Sequence, residues 1–289
     1  MKIAVTAANG GLGSATVGAL LKEMDDHHII GLARTPKKAA HLGIEINPGD
    51  YNNKKDLYRS LSGTDKLLFI SSNDKPVNRS QQHSNVIEAA KKGGVKHILY
   101  TSIVGDPEKT GFHDIVASNR KTEDIIKESG MNFTICRNGI YADPDLEYLE
   151  EYKKAGYIDN SAGKGRCAYT SRSELAYAYT RVLLTNNHFG KTYNMVGEPI
   201  TQHELVDVIN RVYGTNLDYK EMSVEAYTKQ RVETLGEFYG TLVGGIYESI
   251  RLGIFDVPSD YQKAAGRAHK SPEEMIRDYK NNKPEGYRN

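Results

Sequence analysis

The chain lacks the features that mark secreted, membrane-spanning and disulfide-rich proteins. Its two cysteines among 289 residues, Cys136 and Cys167, are too few for a disulfide framework and match no metal-ligand spacing, so we expect no metal. No apolar run reaches the roughly 18 residues that a membrane-spanning helix needs. The sequence passes from Met1 directly into an apolar strand pattern without a leader-like segment. We therefore expect a reduced, cytoplasmic protein without a membrane partner.

An excess of charge of one sign is also missing. The 38 Lys and Arg residues balance 37 Asp and Glu residues, which gives a formal net charge of +1. Binding to a phosphate backbone requires a clear basic excess on one face, so we expect no nucleic-acid partner. The expected partner is a small molecule. The sequence allows an oligomer but does not define its size.

Short apolar runs rich in β-forming residues alternate with helical patterns through the first half of the chain. The predicted strands cover residues 2–6, 28–33, 44–47, 66–71, 96–101 and 131–137. Amphipathic stretches open between them, near Leu12, Lys37, Asn53, Val77 and His113. This alternation predicts the α/β class, with a Rossmann-like doubly wound parallel sheet covered on both faces.

The pattern changes after Tyr141 and becomes mostly helical. Residues 145–154 predict a short charged helix, and helix-capping pairs occur at Ser171 and Glu174, Thr201 and Glu204, and Ser271 and Glu274. Residues 191–196 and 217–220 can supply further strands. We therefore expect a Rossmann domain over 1–141, with strand contributions from about 157–197. A smaller helical substrate lobe, not an independent module, would cover 142–289.

The segment from Thr6 to Gly13 carries the clearest chemical signal. It reads Thr-Ala-Ala-Asn-Gly-Gly-Leu-Gly, follows the first predicted strand and opens a helix. Glycines let the backbone approach a pyrophosphate, which the helix amino terminus then attracts. The predicted cofactor contacts here are Thr6, Asn9, Gly10, Gly11, Leu12 and Gly13. A glycine-rich turn without a ligand is the alternative.

The end of the second predicted strand favours NADP(H) over NAD(H). Arg34 stands where a carboxylate would bind the ribose 2′-hydroxyl of NAD, and Lys37 and Lys38 follow. A guanidinium can bind a 2′-phosphate bidentately, so we predict that Arg34 and Lys38 contact it, although a solvated helix start would also explain them. Asp50 and Tyr51, after the third strand, are predicted to border the adenine, unless they form a simple surface turn. Neither flavin nor metal is expected.

The remaining strand ends are predicted to hold the reacting half of the cofactor. The residues there are small or polar: Ser71, Ser72, Asn73, Thr101, Ser102, Asn138 and Tyr141. Ordinary turn chemistry explains any one of them equally well. The catalytic residue is unknown, and Ser102, Asn138 and Tyr141 are its candidates.

The tyrosine and lysine pair of common short-chain dehydrogenases is absent from the expected helix. No tyrosine occurs between Ile103 and Asn132, and Lys121 can equally be a surface residue. Without that acid, interconversion of alcohols and carbonyls is disfavoured. Direct hydride transfer to a quinone or a cationic dye remains possible, because the reduced product can take its proton from water.

The chain resembles the NmrA-like atypical short-chain dehydrogenases, most closely type 2 NAD(P)H:quinone oxidoreductases and triphenylmethane reductases. The resemblance rests on the glycine loop and on residues 32–38, 49–51, 67–72, 94–102, 122–123, 137–141 and 162–165. It implies NADPH-dependent reduction, with Asn138 and Tyr141 lining the cleft near the nicotinamide. Ala7 replaces an expected glycine and Asn119 an expected histidine, so cofactor affinity and acceptor choice can differ here.

Two other functions stay open at this point. NmrA itself resembles a dinucleotide sensor that acts through partner proteins without turnover, and the same could hold for this chain. A nucleotide-sugar epimerase-like or isoflavone-reductase-like enzyme is less favoured, because the base is missing. For Ala7 we expect either an ordinary backbone angle or a slightly displaced loop.

Overall fold

A computed structural model describes residues 1–282, so residues 283–289 of the predicted lobe lie outside the described part. The strands, numbered β1 to β11 in chain order, are Ile3–Val5, Ile29–Ala33, Glu45–Pro48, Lys66–Ile70, His97–Ile103, Asn132–Asn138, Tyr157–Asn160, Arg166–Ala168, Lys191–Met195, Pro199–Thr201 and Asp218–Glu221. Seven of them form one sheet in the order β3-β2-β1-β4-β5-β6-β9.

Every neighbouring pair in this sheet is parallel. The strand order reverses direction between β1 and β4, which is where doubly wound sheets open a crevice for ligands. The predicted Rossmann-like fold is therefore confirmed.

The helices cover both faces of the sheet and build the lobe. Numbered α1 to α12, they are Gly11–Leu20, Lys54–Leu61, Pro76–Gly93, His113–Glu128, Asp143–Glu147, Leu149–Ala155, Arg172–Leu184, Gln202–Tyr213, Val224–Leu235, Glu237–Arg251, Tyr261–Ala265 and Pro272–Asn282. Short 3₁₀ segments lie at Asp26–His28 and Pro36–Leu42. No helix in residues 1–282 is long and apolar enough to cross a membrane.

Several local predictions need correction. The amphipathic stretch near Lys37 is a 3₁₀ turn that ends at Gly43, where φ is +68°. The charged segment 145–154 forms two helices, α5 and α6, instead of one. Of the segment 157–197, β9 joins the large sheet, whereas β7 and β8 pair with β11 and β10 in separate two-stranded sheets. Strands of three or four residues leave too short a pattern to recognise in the sequence.

The capping pairs are formed to different extents. Thr201 and Glu204 make the reciprocal capping box at the start of α8. Ser171 accepts the Glu174 amide as predicted, but the Glu174 carboxylate binds Arg267 instead of returning to the cap. That ion pair ties the segment before α12 to α7.

Close backbone contact between two glycines seats the lobe on the carboxyl edge of the sheet. The loop after β5 carries Gly111, and a Cβ atom added to Gly245 of α10 would lie 2.2 Å from the Gly111 carbonyl oxygen. Ser249 reinforces the junction: its hydroxyl accepts the Gly111 amide at 2.9 Å and donates to the Gly245 carbonyl at 2.6 Å. The lobe is thus held directly over the strand ends.

We predict that Gly245→Ala destabilises the protein by about 1 to 3 kcal/mol, because the added methyl group forces α10 away from the loop. Gly18 is the matched control, since it also lies in a helix but has open space around its Cβ position. Gly18→Ala should stabilise by about 0.5 to 1 kcal/mol. Urea unfolding measures both; equal stability of the two variants would contradict the packing argument.

Candidate active site

The loop after β1 contacts the start of α1 through its backbone and not through side chains. The Gly10 amide donates to the Ala7 carbonyl at 2.9 Å, and the Ala8 amide donates to the Leu32 carbonyl at the end of β2 at 3.0 Å. A Cβ atom at Gly13 would lie 2.2 Å from the Ala7 carbonyl oxygen. Only glycine at this position therefore lets α1 approach the loop so closely.

Ala7 adopts a backbone conformation that favours glycine. Its φ is +49°, in the left-handed region. The expectation of an ordinary angle at Ala7 is therefore wrong. The left-handed region costs a non-glycine residue about 1 to 2 kcal/mol, so the loop carries strain next to α1.

The amino terminus of α1 fits an anion. Among the described residues, no side chain caps the helix at Gly10, and its first turn holds no acid. The amides of Gly11, Leu12 and Gly13 have no carbonyl partner within the helix. Together with the helix dipole, these amides form a site suited to a pyrophosphate.

Arg172 lies over this loop, and sequence reasoning missed it. A Cβ atom at Gly11 would lie 2.9 Å from the Arg172 Nε atom. The guanidinium binds the Glu147 carboxylate, and Asp143 lies 3.8 Å away. Against the effect of burial, the hydrogen bond to Glu147 raises the pKa of Arg172. Arg172 begins α7 directly after its capping serine, so its local sequence signals only a helix start.

Basic residues at the end of β2 face one acid from the loop after β4. Arg34 and Lys38 are exposed. The pKa of Asp74 is lowered chiefly by a hydrogen bond from Asn78, with a smaller contribution from the Arg34 charge. Asp74 thus lies within electrostatic reach of Arg34. Because the two residues are far apart in the sequence, no local pattern reveals this proximity.

The predicted adenine-bordering residues have mainly internal partners. The Tyr51 hydroxyl donates to Thr6 Oγ1 at 2.6 Å and contacts the Ile70 carbonyl at 2.7 Å. Asp50 accepts the Asn52 amide at 2.9 Å, which is the bond of a local turn. The hydroxyl groups of Thr6 and Tyr51 therefore join strand ends, and a cofactor contact through Asp50 or Tyr51 stays a prediction.

The hydroxyls of Ser72, Thr101 and Ser102 also have partners within the protein. Ser72 donates to Gln82 Oε1 at 2.6 Å, and Thr101 Oγ1 accepts the Ser71 amide at 3.0 Å. Ser102 is 4% exposed. In the loop after β4, the predicted residue Ser71 is half-buried and Asn73 is exposed.

Ser102 belongs to a buried ionic network on α4. Its hydroxyl donates to Glu123 Oε1 at 2.6 Å, and Arg120 and Arg137 bind the same carboxylate at 2.7 and 2.6 Å. Although burial opposes it, hydrogen bonds from Arg137 and Ser102 keep the pKa of Glu123 below its usual range. Arg120 also donates to the carbonyl of Gly105, which secures the loop after β5. These contacts give Ser102 a structural partner on α4.

Asn138 and Tyr141 are brought together at the end of β6. The Asn138 amide nitrogen donates to the Tyr141 hydroxyl oxygen at 2.9 Å, and the Tyr179 hydroxyl donates to Asn138 Oδ1 at 2.5 Å. Burial raises the pKa of Tyr141 to about 12, partly opposed by the bond from Asn138. Since Tyr141 accepts in this bond, its own proton is not used by Asn138, and its place in a cleft stays a prediction.

Asn119, where a histidine was expected, lies in a buried network between α3 and α4. It is 2% exposed, and its Oδ1 accepts from the Tyr100 hydroxyl at 2.5 Å and from Arg79 at 3.2 Å. Asn119 therefore affects helix packing directly. Its influence on the acceptor stays a prediction.

A buried carboxylate in the lobe was not recognised from the sequence. Asp145 on α5 accepts hydrogen bonds from the Tyr152 and Tyr247 hydroxyls at 3.2 and 3.3 Å. Burial raises the pKa of Asp145 to about 6. The partners come from α6 and α10, so no local pattern could have signalled this group.

Comparison with known proteins agrees with this geometry. Residues 7–186 match the family described as NAD(P)H-binding. The chain is 34% identical over 226 residues to quinone oxidoreductase 2 of Escherichia coli (strain K12), covering 76% of this chain and 78% of the relative.

Solved structures of related proteins share this fold. Triphenylmethane reductase from Citrobacter sp., complexed with NADP(H), superposes with a TM-score of 0.87 at 32% identity, covering 96% of this chain and 99% of that one. A nucleoside-diphosphate-sugar epimerase structure from Staphylococcus aureus has a TM-score of 0.86 at 25% identity, covering 96% and 100%. The fold is thus shared with proteins that are named for different activities, a reductase and an epimerase.

We predict that Asp145→Asn stabilises the protein at pH 8. The folded pKa of about 6 lies above the ordinary aspartate value of 3.8. Ionisation of Asp145 therefore opposes folding increasingly as the pH rises between these two values, and fully above them. The shift corresponds to a gain of about 2 to 3 kcal/mol at pH 8. The gain should shrink as the pH falls to 4.5, where the parent carboxyl is protonated in the folded state.

Thermal and urea unfolding across that range measure the effect. Asp207→Asn, an exposed acid on α8, serves as the matched control and should change stability little at any pH. A pH-independent loss of stability in Asp145→Asn would contradict the buried-charge argument.

Proposed function

Because the chain belongs to the NAD(P)H-binding, NmrA-like family of oxidoreductases, we propose that it is an NADPH-dependent reductase of quinones or similar planar acceptors. The observation that carries this proposal is the uncapped amino terminus of α1. A Cβ atom at Gly13 would collide with the Ala7 backbone and one at Gly11 with Arg172, so these glycines let the loop and a guanidinium pack closely against the start of α1. These residues fit the pyrophosphate of a dinucleotide.

The choice of NADP(H) over NAD(H) is proposed from the end of β2. An exposed guanidinium at Arg34 can bind a 2′-phosphate bidentately, and Lys38 adds charge. Asp74 reduces the local positive charge, so we expect a preference and not an absolute requirement. The Citrobacter relative was solved with NADP(H), and an E. coli NADPH-dependent quinone oxidoreductase was solved with NADPH, which supports the proposal.

When bound, the reduced nicotinamide supplies a hydride. We assign Tyr141 and Asn138 to the end of the groove where it would lie, at the carboxyl end of β6. The Tyr141 hydroxyl can donate a hydrogen bond to an acceptor oxygen, and Asn138 fixes its position. With a pKa near 12, Tyr141 orients and polarises the acceptor but holds its proton. The reduced acceptor would take its proton from water.

The residues on α4 favour reduction of an acceptor over sugar epimerisation. Epimerisation through a dinucleotide needs a group that removes and returns a hydroxyl proton, which is the role of the tyrosine in common short-chain dehydrogenases. The α4 segment has no tyrosine, and Lys121 is exposed. A hydride acceptor that needs no protein acid therefore fits this site better.

The proposal predicts acceptor-dependent oxidation of NADPH, followed at 340 nm with benzoquinone, naphthoquinone and a triphenylmethane dye. Tyr141→Phe should lower kcat about tenfold while the Kd for NADPH stays the same, because it removes a hydrogen bond to the acceptor alone. NADPH binding without oxidation by any acceptor would count against an enzyme and for a dinucleotide sensor.

We predict that Arg34→Glu raises the Kd for NADPH by about tenfold to a hundredfold and changes the Kd for NADH much less. The reversed charge repels the 2′-phosphate, which NADH lacks. Arg59→Glu, an exposed arginine in the last turn of α2, is the control for a charge change away from the groove. If the variant binds both cofactors more weakly by the same factor, Arg34 does not contact the 2′-phosphate.

A further inference from the structure

Consecutive polar residues of α3 lie beneath the loops that border the groove. We propose that Gln82 and His83 are positioning residues that set the shape of the cofactor groove without touching the cofactor. They hold two segments, which we call the β3 loop (residues 49–53) and the β4 loop (residues 71–75). The inference rests on the proposed cofactor site.

His83 holds the backbone of the β4 loop. Its Nε2 atom accepts the Ser72 amide at 2.9 Å, and its Nδ1 atom lies 2.7 Å from Thr122 Oγ1. Because Nε2 accepts from an amide, the neutral ring carries its proton on Nδ1 and donates it to Thr122. One imidazole thus joins the β4 loop to α4 through α3.

The His83 ring stays in this neutral form at physiological pH. The residue is 0% exposed, and burial, followed by the nearby Arg79 charge, lowers its pKa to about 3. The acceptor at Nε2 is therefore present at neutral pH. A protonated ring would lose that acceptor.

Gln82 joins the β4 loop to the β3 loop. Its Oε1 atom accepts from the Ser72 hydroxyl at 2.6 Å, and its Nε2 atom donates to Asp74 Oδ2 at 2.8 Å and contacts Asn52 Oδ1 at 3.4 Å. Asn85, one turn further along α3, donates to the Tyr51 carbonyl at 2.8 Å. These side chains fix the distance between the two loops.

The inward bonds determine what the β4 loop can offer to a ligand. The amide of Ser71 donates to Thr101, that of Ser72 to His83, and that of Asp74 to the Ser72 hydroxyl. With these three amides bonded within the protein, they are not free to bind a phosphate, so the β4 loop differs in this respect from the amino terminus of α1.

Burial at these positions is unusual for amide and imidazole side chains. Gln82 is 5% exposed and Asn85 is 4% exposed on a helix face where apolar residues would be the ordinary choice. An apolar replacement of Gln82 would satisfy packing but would leave the Ser72 hydroxyl and the Asp74 carboxylate without this partner, and one of His83 would do the same to the Ser72 amide. The loop that borders the groove would then be destabilised.

The test compares His83→Leu with His83→Gln, which keeps an acceptor near the position of Nε2. We expect His83→Leu to raise the Kd for NADPH about tenfold, while kcat at saturating NADPH and the KM for the quinone change less than twofold. His83→Gln should restore most of the affinity. Gln82→Met, similar in length and without the amide, should also raise the Kd.

The control is His97→Leu, a buried histidine at the amino end of β5, on the edge of the sheet opposite the groove. It should lower the melting temperature without changing the Kd for NADPH. If His83→Leu or Gln82→Met loses stability but keeps the parent Kd, as His97→Leu should, the positioning role is wrong. If the unmodified protein binds no NADPH, the proposed function itself fails.

Discussion

The Thr6 side chain joins the strands on either side of the point where the sheet reverses direction. Its Oγ1 atom accepts the Ile70 amide at 2.9 Å and the Tyr51 hydroxyl at 2.6 Å, and it lies 3.3 Å from the Leu68 carbonyl. The loop after β1 separates from those after β3 and β4 at this reversal, because α1 covers one face of the sheet whereas α2 and α3 pack together on the other. One buried hydroxyl therefore fixes three loops relative to one another, and the groove between them depends on it.

Most polar groups around the groove already have partners inside the protein. The hydroxyls of Tyr51, Ser72 and Ser102 are bonded to other parts of the chain, which makes the walls rigid before any ligand arrives. The groups still available include the first amides of α1, the basic side chains after β2 and the Tyr141 proton. Under the proposed function these would meet the pyrophosphate, the 2′-phosphate and the acceptor, respectively, and such preorganisation reduces the entropic cost of binding.

Local patterns were enough to predict the sheet and the glycine loop, because strand and helix periodicity and the Gly10 to Gly13 spacing lie within short segments. The lobe was predicted only coarsely, since strands such as β8 have three residues and pair with strands that are distant in the sequence. Arg172 and Gln82 were missed for a related reason: each owes its importance to a contact between distant segments. Ser102 was placed at the right strand end, but the sequence did not reveal that Glu123 binds its hydroxyl.

Carboxylates lie close to two of the cations near the groove. Arg172 faces Glu147 and Asp143, and Arg34 lies within reach of Asp74, whereas Lys38 is exposed. A dianionic pyrophosphate is therefore attracted mainly by the amides and dipole of α1, which carry no counter-charge. Arg172 then contributes geometry more than net attraction, because its guanidinium is already held by Glu147 before the ligand binds. This arrangement lets a chain of balanced charge bind a strongly anionic cofactor without a basic surface that would also attract nucleic acids.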